Sequence, residues 1–156
     1  MKSFKVVPMA KEIVEKIQMN LEDGFGHKLT PVKLSSRALC RYSLSDGDTG
    51  SDQKHILFSY MPVKDINPYS EVGPVYIIAK SSAYEDIYVF PPDLKKRKFL
   101  TLRGYSSAQL LIAGEMSEGH KAEEILEIMF KNPDVEYILV SDASSGCFFV
   151  KIERAT

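Results

Sequence analysis

Residues 98–153 constrain the fold more than any other stretch, because short apolar runs and turn chemistry follow one another there in the order β-β-α-β-β. Residues 99–105 and 109–115 are two strand-like runs separated by Ser106-Ser107-Ala108, a hairpin signal. Side chains alternate along a strand, so Leu100 and Leu102 share one face while Phe99, Thr101, Arg103 and Tyr105 take the other. From about residue 121 to 131, Ala122, Ile125 and Met129 recur at helical spacing, with Glu123, Glu124 and Glu127 on the wet side. Asn132-Pro133 ends that helix, since proline cannot continue the hydrogen-bond ladder. Tyr137-Ile138-Leu139-Val140 is unbroken and apolar, which predicts a central strand covered on both faces. Residues 142–146 are turn chemistry, and residues 147–153 return as a strand with Phe148, Val150 and Ile152 on one face. The strand-helix-strand connection fits a parallel crossover, and the last pair an antiparallel hairpin.

The rest of the chain supplies further strands and one more helix. Residues 4–7 read as a short strand. Residues 10–22 form a helix whose apolar stripe is Ala10, Ile13, Val14, Ile17 and Leu21, and Gly24 and Gly26 are expected to end it. Residues 38–44, 55–60, 74–80 and 87–90 are expected strands, with a short helix in 38–44 as the alternative. Residues 29–35 are extended, and Pro91-Pro92-Asp93 opens a helical turn or two.

At 156 residues the chain has the size of one domain and can bury a core without a disulfide or metal staple. A net charge of −1 argues against a dedicated nucleic-acid binder. No apolar run has the ~20 residues of a membrane helix, and Lys2 and Lys5 precede no long apolar core, so neither a membrane partner nor a secretory leader is expected. Cys40 and Cys147 are too isolated to suggest a disulfide framework, so free thiols in the cytoplasm are expected.

Several phrases carry a resemblance. They are Leu39-Cys40-Arg41-Tyr42-Ser43-Leu44 with Asp46, then Leu57-Phe58-Ser59-Tyr60, and Pro68-Tyr69 ahead of Val75-Tyr76-Ile77. Leu100 to Tyr105 and Gly146-Cys147-Phe148 running to Ala155 complete the set. In this order they resemble the domain-of-unknown-function 1203 family of small bacterial proteins. The resemblance implies one small domain and supplies no mechanism.

Candidate sites come from chemistry alone. Cys40 beside Arg41 is the weak catalytic candidate, because a neighbouring guanidinium favours the nucleophilic thiolate. A straight strand would point the two to opposite faces, so the pair needs a bulge or turn. The plainer reading is a buried thiol, and Cys147 reads as structural too. Arg41, Tyr60 and Arg103 are the candidate ligand-binding residues, since arginine presents a planar fork to carboxylate or phosphate. The competing reading is an ion pair of these arginines with Asp46, Glu71 or Glu85.

Other features read as ordinary surface. Residues 46–52 are rich in Asp but miss the EF-hand pattern at Gly50, Ser51 and Leu57, which leaves a solvated loop. Residues 95–98 are a short basic run, and His27, His55 and His120 lack metal-ligand spacing. No cofactor or metal is implied.

The sequence thus predicts a single α+β domain over residues 1–156: a mainly antiparallel, twisted sheet of about six to eight strands with two main helices. Ile13, Ile17, Phe58, Ile77, Leu102, Ile125, Met129, Leu139 and Phe148 are the expected core. The expected function is that of a binding domain for a small anionic ligand or a protein partner. The alternative is an enzyme or redox protein using the Cys40 thiol.

Overall fold

The computed structural model describes residues 2–47, 52–63 and 65–155. In chain order the elements are β1 (Phe4–Val7), α1 (Lys11–Asn20), β2 (Val32–Lys33), β3 (Lys54–Tyr60), β4 (Gly73–Ile78), α2 (Pro92–Lys95), β5 (Leu100–Tyr105) and β6 (Leu111–Ser117). A 3-10 turn at Gly119–Lys121 then leads into α3 (Ala122–Met129), β7 (Tyr137–Asp142) and β8 (Phe148–Arg154). The eight strands among the described residues pair antiparallel and form a five-stranded sheet, β1-β8-β7-β5-β6, and a three-stranded sheet, β2-β3-β4. The domain is therefore α+β, with α1 and α3 as its main helices. None of these helices is long and apolar enough to cross a membrane.

The β-β-α-β-β reading holds. β7 lies in the middle of the larger sheet, as its unbroken apolar run requires. β6 and β7 both run antiparallel to β5, so they are parallel to each other on either side of it, and α3 carries the chain across. One face of this sheet presents Leu100, Leu102, Ile138, Val140, Val150 and Ile152 to Leu126 and Met129 of α3 and to Leu94 of α2. The opposite face gathers Tyr105, Tyr137 and Leu139. α1 covers the smaller sheet through Val14 and Ile17 against Ile56, Phe58, Val75 and Ile77.

The structure departs from the sequence reading at several points. Residues 38–44 form a turn with a single bridging residue, Cys40, instead of a strand. Residues 87–90 are also a turn, tied to the larger sheet where the Val6 amide donates to the Ile87 carbonyl at 2.6 Å and where Phe90 joins the sheet's core cluster. The first helix stops at Asn20 because Leu21 adopts the left-handed conformation at φ 50°. Gly24 and Gly26 belong to the next turn. Ile13, expected in the core, is 38 % exposed. Ile125 is partly buried against the α3 core.

The most consequential departure is in β8. Val140 pairs with Val150 but Ser141 pairs with Phe148, so Phe149 is a one-residue bulge. The extra residue turns Phe148 away from Val150 and Ile152, and its half-buried ring packs instead between the smaller sheet and the Tyr105–Leu139 face. Phe148 lies 5.8 Å, centroid to centroid, from Tyr60 of β3. One ring thus ties the two sheets together beside the cleft described next.

Candidate functional site

The turn at residues 38–44 hangs on β4. The Arg41 amide donates to the Tyr76 carbonyl at 2.9 Å, and the Leu44 amide donates to the Cys40 carbonyl at 2.8 Å. Leu44 sits at φ 55°, a left-handed conformation that costs a non-glycine residue energy and closes the turn tightly. This geometry sends the Arg41 side chain inward, where the residue is 4 % exposed. Its Nε donates to the Phe148 carbonyl at 2.8 Å and its Nη1 to the Leu39 carbonyl at 2.5 Å. The guanidinium carbon lies 5.2 Å from the centre of the Phe149 ring.

No carboxylate among the described residues lies within ion-pair distance of Arg41. Burial pulls its guanidinium down to about 10, and the groups that oppose this are Cys147 first, then Cys40, with Asp46 behind them. Arg97 adds to the depression by like-charge repulsion.

Arg97 is the neighbour that the basic run at residues 95–98 concealed. It turns back from the end of α2, donating to both carboxylate oxygens of the buried Asp46 at 2.9 and 2.5 Å. That bond, ahead of all other influences, raises its affinity for the proton. The Asp46 amide is in turn held by the Asp93 carboxylate at 2.8 Å. Arg97 also lies 5.2 Å from the Phe149 ring, so two guanidinium groups share one aromatic side chain. Arg37, Arg41, Lys96 and Arg97, with Asp46, Asp142, Cys147 and Phe149, line a cavity of about 580 Å³. Four of these side chains carry positive charge and two carry negative.

A second cavity, of about 230 Å³, adjoins it at Pro74, Ser145 and Cys147. Tyr60, Tyr69, Glu71, Arg103 and Phe148 belong to this one. The structure therefore brings Tyr60 and Arg103 together but places Arg41 in the neighbouring cavity. The guanidinium of Arg103 is committed to Glu71 through two bonds of 2.9 Å each. This bond raises Arg103 and holds the Glu71 carboxyl below its usual range. Tyr60 is pushed up by burial.

The two cysteines differ in access. Cys40 is fully buried, and its Sγ accepts the Ile78 amide at 3.2 Å and meets Ser81 Oγ at 3.7 Å. Although the turn supplies the bend that a Cys40–Arg41 pair needed, the Cys40 thiol is part of the core. Cys147 is only partly buried and lines both cavities. It follows Gly146, which takes φ 78° in a turn closed by Gly146 N to the Asp142 carbonyl and Asp142 N to the Cys147 carbonyl, each 2.9 Å.

The remaining candidates stand apart. His27 Nδ1 lies 2.8 Å from Asp23, and exposed His120 lies 3.2 Å from Glu118. His55, read as a surface residue, is instead 3 % exposed in β3. Of the Asp-rich loop, residues 48–51 lie outside the described residues. No group of three or more His, Cys, Asp or Glu among the described residues is placed to hold a metal ion.

Sequence reasoning missed Arg97 and the placement of Cys147. Asp46 and Arg97 are far apart in the chain, and the bulge at Phe149, which has no local signature, decides where Cys147 and Phe148 face.

Comparison with known proteins adds a family but no activity. Residues 38–154 match the model of the family described as "Protein of unknown function (DUF1203)". No curated protein and no solved structure matches. The matched stretch contains Arg41, Arg97 and the Cys147 turn, while Arg37, the third arginine lining the larger cavity, lies just before it. The chain belongs to the DUF1203 family.

Proposed function

We propose that this family member binds a small anionic ligand, a carboxylate or phosphate, with Arg41 as its main contact. One observation carries the reading: Arg41 is buried, lines a cavity of about 580 Å³ and has no carboxylate within ion-pair distance among the described residues. A buried guanidinium without a counter-charge is costly, and an anion in the cavity would supply one. Arg97 would contribute field more than a free fork, because Asp46 already occupies its donors. The uncharged part of a ligand would reach toward the adjoining cavity, whose wall holds Tyr60 and the Arg103–Glu71 pair. The proposed setting is the cytoplasm, which suits two unpaired thiols.

The test is nuclear magnetic resonance of the arginine Nε–H groups during titration with inorganic phosphate and with phenyl phosphate, chloride serving as control. The expected result is a saturable shift of Arg41 that chloride does not produce, and its disappearance in Arg41→Met. A shift confined to exposed arginines, or one equalled by chloride, would reject the proposal.

A further inference from the structure

We infer that Cys147 is the chemically addressable thiol of this protein and exchanges with small disulfides that carry carboxylates. The inference rests on the anion-binding reading of the same cavity and goes beyond it, from occupancy to covalent chemistry.

Three observations point there. Cys147 is the more open of the two cysteines and borders both cavities, whereas Cys40 is enclosed. Arg41, 4 % exposed and aimed into the larger cavity, is anchored on the carbonyl of Phe148, the residue next to Cys147. Its Nε and Nη1 donate to carbonyls, and no hydrogen bond from Nη2 occurs among the described residues. The third observation is the charge around the opening. Arg37 and Lys96 face it exposed, Lys96 with its Nζ 3.1 Å from Asp93, and the acids opposite them are committed too. Asp46 is bonded to Arg97, Asp142 accepts from Ser144, and Glu71 on the other side of Cys147 is bonded to Arg103. The lining keeps an excess of positive charge, four cationic side chains to two anionic, and such an excess concentrates anionic reagents.

The reaction is thiol–disulfide exchange. Cys147 releases its proton to solvent, and the thiolate attacks one sulfur of the incoming disulfide. The new Sγ–S bond forms as the old S–S bond breaks, and the other half departs as a thiolate. Cys147 is oxidised, the departing half is reduced, and no further oxidant enters. The incoming carboxylate is held at Arg41 while the exchange proceeds, and the mixed disulfide then occupies the anion cavity.

The experiment compares three reagents on the full chain: dithiobis(nitrobenzoate), which is anionic, hydroxyethyl disulfide, which is neutral, and cystamine, which is cationic. Rates are read by intact mass, with the modified cysteine located by peptide mapping. The same chain in denaturant gives each reagent's intrinsic rate. Folding is expected to raise the anionic-to-cationic rate ratio at Cys147 by about tenfold or more, with Cys40 unmodified. Arg41→Met should remove most of that preference, and the surface pair Arg37→Gln with Lys96→Gln should reduce it without any risk to the core. A folded ratio equal to the unfolded one, or modification at Cys40 ahead of Cys147, overturns the inference. If phosphate shifts Arg41 while the disulfide ratio is flat, the inference fails and the anion site stands; if neither responds, both fail.

Discussion

At the scale of single residues, Asp23 shows how a buried acid can hold a fold rather than perform chemistry. Its carboxylate accepts the amides of Phe25 and His27 through Oδ1, at 2.9 and 3.0 Å, and the amide of Ser59 through Oδ2 at 3.0 Å. Burial by itself would raise this carboxyl, but the bonds from Ser59, His27 and Phe25 outweigh it and hold the group well below the usual carboxylate range. The turn after α1 is thereby latched to β3. Asp23→Ala should cost about 3 kcal/mol in urea unfolding, since it strands amide donors that had a charged acceptor. A loss below about 0.5 kcal/mol would show that water replaces the carboxylate without penalty. Arg41 presents the opposite case. Its charge is buried without such a closed set of partners, which is why it is read as a site and Asp23 as a latch.

At the scale of elements, the contact between α2 and the 3-10 turn sets the position of Arg97. The Gly119 amide donates to the Arg97 carbonyl at 2.9 Å. A Cβ on Gly119 would come within 2.5 Å of the carbonyl oxygens of Leu94 and Arg97, and within 2.8 Å of that of Lys95. These are backbone atoms and cannot swing aside, so Gly119→Ala must push α2 outward. A loss of about 1–3 kcal/mol is expected by thermal or chemical denaturation, together with weaker phosphate shifts at Arg41. Unchanged stability would mean that the 3-10 turn is not held against α2. The elements themselves were legible wherever period and punctuation agreed. The hairpin through Ser106, the α3 stripe and the β7 run are all strong signals, and the structure contains all three. Residues 38–44 misled because Leu39, Tyr42 and Leu44 form a strand-like apolar set, while the left-handed Leu44 that makes the turn leaves no mark in composition. The site was half legible. Arg41 was legible as a guanidinium fork beside Cys40, but its separation from Arg103 and its closeness to Arg97 depend on long-range packing.

At the scale of the whole molecule, the two sheets meet along a seam at Phe148, and that seam is where both cavities lie. Anything that loosens the smaller sheet should therefore reach the site. His55 is placed to do so. It lies in β3, 3 % exposed, with its ring edge-on to Tyr76 at 6.0 Å, and neither ring nitrogen has a hydrogen-bond partner among the described residues. Burial lowers its affinity for the proton in the folded state. The unfolded chain takes up a proton at His55 near the ordinary value of about 6.5, whereas the folded chain resists until lower pH. The contribution of neutral His55 to stability is then complete above that value and is lost as pH falls below it. Asp23 acts in the same direction but lower, because its unfolded carboxyl titrates near 3.9, so the two losses occupy separate windows. Thermal unfolding between pH 8 and 5 should show the melting temperature falling on the acid side, and His55→Leu should flatten that fall without altering the later one near pH 4. If His55→Leu melts with the wild-type pH slope, the acid sensitivity in that window belongs to other groups. If the slope flattens as expected, phosphate shifts at Arg41 should also hold to lower pH in the variant, because the sheet carrying Tyr76 and the Arg41 turn then stays in place.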